Sequence, residues 1–296
     1  MLDIHTHLYW KDFDTDRDEV IRRAKAAGVS KMISVGTDME TSRKAIEVAQ
    51  AHEGIWASVG IHPHSFNEEK KYVIPSESSS RGIFDEQSRS LDKLGMTEEV
   101  ERLRELAKHP KVIAIGECGL DYFSHDPKKS ITDEQKAAQR DGFLVQLGLA
   151  RELNLPIIIH CRDAYEDLYS ILQSAIINLQ SAILHCYQGD TDITKRFLEL
   201  PNVHFSFAGN ITYPVKQALV RTKDDLGETV KLVPLERLFT ETDCPFLAPQ
   251  AKRGERDEPA FVQYVVQKMA ELHGVDVAAV EAKTTENFKR VFGVVS

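Results

Sequence analysis

Short runs rich in β-branched residues alternate along the chain with longer stretches whose apolar positions recur at helical spacing. The runs cover 2–7, 31–35, 55–61, 112–116, 156–159, 181–184, 203–207 and 237–240. The helical stretches lie near 16–27, 40–52, 97–108, 133–154, 163–178, 190–199, 215–226, 258–272 and 276–291. Runs such as Ile157-Ile158-Ile159 are apolar at consecutive positions, as expected of strands buried on both faces. Eight strands, each followed by a helix, predict an α/β fold of one domain, a (β/α)8 TIM-like barrel. The stretch 67–97 breaks the rhythm with Glu68-Glu69-Lys70-Lys71 and a serine-rich run at 76–80. It reads as an insertion in the third βα loop, loose by composition or serving as a lid.

The 296 residues suit one barrel, and 42% hydrophobic with 28% charged residues suits a folded core. The formal charge of −9 argues against broad adhesion to phosphate backbones, so a nucleic-acid role needs a local positive site. Bound divalent cations supply such a site. The start, Met1-Leu2-Asp3-Ile4-His5, lacks the basic and apolar regions of a signal peptide, and no apolar run of membrane-spanning length follows. The expectation is a cytoplasmic monomer with no membrane partner.

Metal-ligand residue types stand at the predicted strand ends: His5 and His7, Glu117, His160, His185 and Asp243. In a closed parallel barrel all strand C-termini meet on one face, so these six share one volume. His5 and His7, two apart on a strand, project to one side. Four histidines and two carboxylates exceed one tetrahedral ligand set, which favours two divalent metals with Glu117 between them. His5, His7 and Asp243 complete one, His160 and His185 the other. Donor softness does not choose among magnesium, manganese and zinc.

Two such cations activate a shared water, so hydrolysis is the implied reaction, with Asp243 as proton acceptor. His62 and His64 end the third strand. They are candidates for substrate contact or leaving-group protonation, or else a loop capped around Pro63. Arg162 and Arg253, with Lys252 and Arg256 nearby, are candidates to meet an anionic substrate, or else a solvated face. Each cysteine directly follows a proposed ligand (Cys118, Cys161, Cys186, Cys244), and strand alternation turns the thiols away from the metals.

The motifs Asp3-Ile4-His5-Thr6-His7, Gly60-Ile61-His62-Pro63-His64, Gly116-Glu117-Cys118-Gly119-Leu120-Asp121, Ile159-His160-Cys161-Arg162, His185-Cys186-Tyr187-Gln188-Gly189 and Glu241-Thr242-Asp243-Cys244-Pro245 follow one another in the order found in the TatD deoxyribonucleases. The chain resembles that family over nearly its whole length. The resemblance implies a binuclear centre at the same six residues, Glu117 bridging, and magnesium or manganese as the activating ion. It also implies phosphodiester substrates, typically DNA, with trimming of single-stranded 3′ ends. One departure is Asp257, which stands where the family's Arg-Gly-x-x-Asn-Glu-Pro motif has asparagine. On the same barrel, a hydrolase of a small amide, lactone or phosphoester is a second reading, and a non-catalytic binding protein a third.

Overall fold

The computed structural model describes residues 1–67, 97–124, 130–214 and 226–294. Eight strands form one all-parallel sheet in sequence order: β1 Leu2–Thr6, β2 Lys31–Val35, β3 Ile55–Val59, β4 Val112–Asp121, β5 Ile157–Arg162, β6 Ala182–Leu184, β7 Val203–Phe207 and β8 Leu238–Thr240. The ends of the sheet meet. Thr240 Oγ1 donates to Leu2 O (2.7 Å), Asp243 N to His5 O (2.9 Å) and His7 N to Cys244 O (2.9 Å). This is the (β/α)8 barrel expected from the pattern.

The described helices are α1 Arg17–Ala26, α2 Met39–Ala51, α3 Thr97–Ala107, α4 Asp133–Leu153, α5 Tyr165–Ala175, α6 Thr191–Glu199, α7 Leu226–Leu232, α8 Val262–His273 and α9 Val277–Phe292. Side-chain hydrogen bonds open three of them: Asp38 and Thr41 form a capping box on α2, Thr132 and Gln135 another on α4, and Asp190 accepts from Asp192 N and Ile193 N at the start of α6. None of the helices is long and apolar enough to cross a membrane, among the described residues. The inserted stretch belongs to the connection from β3 to α3, and its residues 68–96 lie outside those described. So does most of the helix expected near 215–226.

Neighbouring strand residues go to different apolar clusters. Met32, Ile157, Ile159, Ala182, Leu184 and Leu238 join the large cluster that contains Val20, Ala24 and Leu147 of the surrounding helices. Ile33, Val35, Ile158, Ile183 and Phe239 join a second cluster, which takes from the helices only Phe288, Val291 and Phe292 of α9. This period-two partition is why the strands read as unbroken apolar runs: both faces are covered.

The fourth strand is longer than its apolar run, which ends at Gly116. It continues to Asp121, pairing Cys118, Gly119, Leu120 and Asp121 with Ile159, His160, Cys161 and Arg162. Gly119 makes this possible. Its φ is +142°, and a Cβ there would stand 2.0 Å from His160 O. The register shifts between Ile115 and Cys118, as it does between Asp3 and Thr6 in β1. Both irregularities fall beside proposed ligands, where a bulge re-aims a side chain.

Candidate metal centre

The alternation that sends Ile158 and Ile183 into the second cluster carries on past the apolar runs. Two residues on stand His160 and His185, and two beyond Phe239 stands Glu241. The barrel thus delivers polar side chains onto one end of its own interior.

There the six proposed ligands come together around Glu117, whose two oxygens face different partners. Oε2 lies 3.3 Å from His5 Nε2 and 3.9 Å from His7 Nε2, and Asp243 Oδ1 stands 3.6 and 3.3 Å from the same two nitrogens. Oε1 lies 2.9 Å from both His160 Nδ1 and His185 Nε2. Ligand atoms converge in three groups: His5, His7 and Asp243; His62, Glu117 and His160; and His5, His185 and Glu241. None of these groups includes a cysteine.

The outward nitrogens fix the tautomers. His7 Nδ1 lies 3.0 Å from Val35 O, which only accepts, so Nδ1 carries a proton, and Nε2, facing Glu117 and Asp243, holds either a second proton or a lone pair for a cation. His160 Nε2 is 3.0 Å from Asp121 Oδ2 and donates to it, which leaves Nδ1 facing Glu117 Oε1 and His185 Nε2, the latter 3.2 Å away, with either a second proton or a lone pair for a cation. Lone pairs opposed at such distances need a proton or a cation between them. His5 is fully buried with neither ring nitrogen hydrogen-bonded, and its ring stacks on that of His185 at 3.9 Å. Divalent cations held among these nitrogens and carboxylate oxygens would engage the opposed lone pairs and the unpartnered His5, so the residues fit such cations.

The electrostatics of the site are those of a cation trap. Burial pushes the Glu117 carboxyl up, but His185 and His62 and the hydrogen bonds of His160 and His185 outweigh it and hold it well below the usual range. Burial likewise works against Asp243, yet the His7 hydrogen bond and the nearby imidazoles keep its carboxyl low. Asp243 also sits in the left-handed region, φ +61°, as do Asp163, Cys186 and Leu247 at the same rim. Such conformations cost about 1–3 kcal/mol each and concentrate at functional sites.

His62 and His64 serve the site differently from each other. His62 Nδ1 accepts from His64 N (3.2 Å), so its proton is on Nε2, which points at Glu117 Oε1, 3.4 Å away. Burial lowers its pKa to about 4, leaving it a neutral donor. The loop is therefore capped, and it brings His62 beside the centre. His64 Nε2 reaches Asp121 Oδ2 at 2.9 Å.

Arg162 lines the cavity, its guanidinium 3.4 Å from the centre of the Phe123 ring. Arg253 does not line it and lies over Tyr213 at 4.3 Å. The basic stretch around Arg253 is engaged elsewhere: Arg256 pairs with Asp16 at 2.7 Å and Lys252 with Glu255 at 3.3 Å. Two thiols also depart from expectation. Cys118 and Cys244 are buried, whereas Cys161 and Cys186 are part-exposed and line the cavity. At Cys186 the φ of +43° ends the strand alternation on which the expectation rested.

Three carboxylates went unselected by the strand-end pattern. Asp3 accepts from Thr242 Oγ1 (2.6 Å) and Thr242 N (3.0 Å), tying β1 to the segment that carries Asp243. Asp121 orients His160 and His64. Glu241 accepts from Cys186 N (2.7 Å) and Ser206 Oγ (2.5 Å), with Oε1 3.5 Å from His185 Nδ1. Alternation from Phe239 was the signal for Glu241.

The family model for TatD related DNase matches residues 2–293. The metal-dependent hydrolase YabD of Bacillus subtilis is 36% identical over 99% of both chains. The 3′-5′ ssDNA/RNA exonuclease TatD is 34% identical in Erwinia tasmaniensis, over 99% of this chain and 100% of that one, and 32% identical in Escherichia coli over 99% of both. Among solved structures, the TatD homologue YJJV from Escherichia coli superposes with a TM-score of 0.78 at 24% identity, covering 100% of this chain and 98% of that one. At that identity the superposition speaks for the fold. The match across the whole barrel, together with a buried centre of histidines and carboxylates, places this chain in the TatD related DNase family of metal-dependent hydrolases.

Proposed function

We propose that the chain hydrolyses phosphodiester bonds of single-stranded DNA from the 3′ end, using water activated between two divalent cations. The observation that carries this reading is the division of Glu117, with Oε2 facing His5 and His7 and Oε1 facing His160 and His185. A carboxylate so divided suits a bridge between two ions, which lower the pKa of a shared water and neutralise phosphoryl oxygens. Imidazole and carboxylate donors mixed in both halves of the set accept magnesium, manganese or zinc.

The residues supply the rest. Asp243, beside His7, accepts the proton as the water oxygen bonds to phosphorus and the ester P–O bond breaks. His62, neutral, offers its Nε2–H as a hydrogen bond to the phosphoryl group or the departing oxygen, and that oxygen takes up the proton Asp243 removed from the water. Arg162 supplies a fixed cation on the wall. The cavity, about 1170 Å³, is larger than most small-molecule sites and has room for a chain end. Names borne by relatives, exonucleases of single-stranded DNA and RNA, support the substrate class.

The test is cleavage of an end-labelled single-stranded oligonucleotide by metal-stripped protein, with magnesium, manganese or zinc restored. The expected result is a metal-dependent ladder receding from the 3′ end and absent in Glu117→Ala. No cleavage by protein that binds two equivalents of metal would overturn the reading in favour of a small-molecule hydrolase on the same centre.

A further inference from the structure

Two aromatic rings stand at the edge of the centre and take no part in the chemistry above. Phe246 is 45% exposed, although its ring lines the cavity. Trp10, part-buried, meets it edge to face, with centroids 5.7 Å apart and planes at 74°. Both lie beside the His7 ring, at 6.3 Å for Trp10 and 6.2 Å for Phe246. Together they form an open aromatic corner next to a proposed ligand.

Their position is locked to the centre by backbone. A turn from His7 delivers Trp10, whose N–H donates to His7 O at 2.8 Å. A matching turn from Asp243 delivers Phe246, whose N–H donates to Asp243 O at 3.0 Å. The two turns are joined by the bond from His7 N to Cys244 O, 2.9 Å. Each ring therefore stands three residues beyond a proposed ligand, and the corner keeps its register with the reacting phosphate.

The rest of the described wall gives a nucleic-acid backbone little to hold. Among the described residues the lining sets Lys136 and Arg162 against Asp38, Asp121, Asp163, Glu166, Asp167 and Asp190. Lys136 is 3.6 Å from Asp133 and lies over Tyr122. Beyond the ions and Arg162, then, this wall can grip a nucleotide by its π-face, which stacks on aromatic side chains whatever the base.

We infer that Trp10 and Phe246 form a base-stacking platform that holds the nucleotide next to the scissile phosphate. The inference rests on the phosphodiester reading above and gives that site a reason to prefer nucleotides over other diesters, with tolerance for base identity.

Two diesters with one leaving group separate the ideas: thymidine 5′-(p-nitrophenyl phosphate) and methyl p-nitrophenyl phosphate, which lacks a base. For metal-loaded wild-type protein, kcat/KM should favour the thymidine diester. In Trp10→Ala and in Phe246→Ala the ratio between the two substrates should fall about tenfold, carried by KM, and Trp10→Phe should restore it. An unchanged ratio in both alanine variants, in protein that hydrolyses both diesters, overturns the platform and leaves the phosphodiester reading standing. Wild-type protein that hydrolyses neither diester overturns that reading instead.

A binding measurement without turnover decides the platform in either case. Oligothymidylate added to metal-free protein, or to protein with calcium, should saturably quench the Trp10 fluorescence, the component that Trp10→Phe removes. Trp56, packed against Phe288 at 5.6 Å, is the other tryptophan. Quenching no greater than that given by deoxyribose 5-phosphate would overturn the inference.

Discussion

At the scale of single residues, the centre depends on carboxylates that touch histidines from behind. Glu241 has its two oxygens occupied by Cys186 N and Ser206 Oγ, and so holds its place beside His185 Nδ1. Glu241→Gln should weaken metal affinity about 10- to 100-fold while the barrel stays folded, as read by metal titration calorimetry with circular dichroism as control. Unchanged affinity would reduce Glu241 to a strut. Asp257 makes a separate point. Fully buried, it accepts from Glu258 N at 2.9 Å, its Oδ2 has no partner, and burial with Asp3 nearby raises its pKa to about 9. It neither caps the following helical turn nor lines the cavity, so the family's asparagine is replaced here by a carboxyl that stays protonated. The folded state keeps this proton and the unfolded state loses it near pH 4. Stability therefore falls as pH rises from about 4 to about 9, by up to about 1.4 kcal/mol per unit. In metal-free protein, Asp257→Asn should gain over wild type progressively in urea melts at pH 5, 7 and 8.5. A constant gap would show that Asp257 does not titrate across that range.

At the scale of elements, the eight strands were legible because both their faces are apolar, and the proposed ligands because they terminate those runs. The length of β4 was not. A reader of hydrophobicity stops at Gly116, since Glu117, Cys118 and Gly119 break the pattern, yet pairing with β5 continues to Asp121. What sustains it is close backbone approach at Gly119, which no hydrophobic pattern encodes. Asp121, which aligns both His160 and His64, was hidden for the same reason. The basic stretch at 252–256 read either as a substrate grip or as a solvated face, and Asp16 and Glu255, the first remote in sequence, engage Arg256 and Lys252. Gly119→Ala tests the element directly. A Cβ 2.0 Å from His160 O, at φ +142°, forces β4 from β5, and the cost should be about 2–4 kcal/mol with loss of metal binding. Chemical melts alongside metal titration check this, and a variant with wild-type stability would mean the strands part without penalty.

At the scale of the whole molecule, the centre joins what the chain order keeps apart. Its proposed ligands come from within or just beyond β1, β4, β5, β6 and β8, and the seam that closes the barrel, Asp243 N to His5 O, runs between two of them. Cations held by this set would bridge the first and last strands as well as the middle of the sheet, and the native state alone assembles the set. Binding must then stabilise the fold by RT ln(1 + [L]/Kd), about 2.7 kcal/mol at a hundredfold excess over Kd. For a domain of this size that corresponds to a rise in Tm on the order of 5–10 °C. Chelation should lower Tm by this amount and restored manganese should recover it. Glu117→Ala should flatten the response, because it removes the carboxylate both halves of the set share. Equal melting with and without metal, in protein shown to bind it, would mean that the barrel is closed by its strands alone and that the ions only occupy a finished cage.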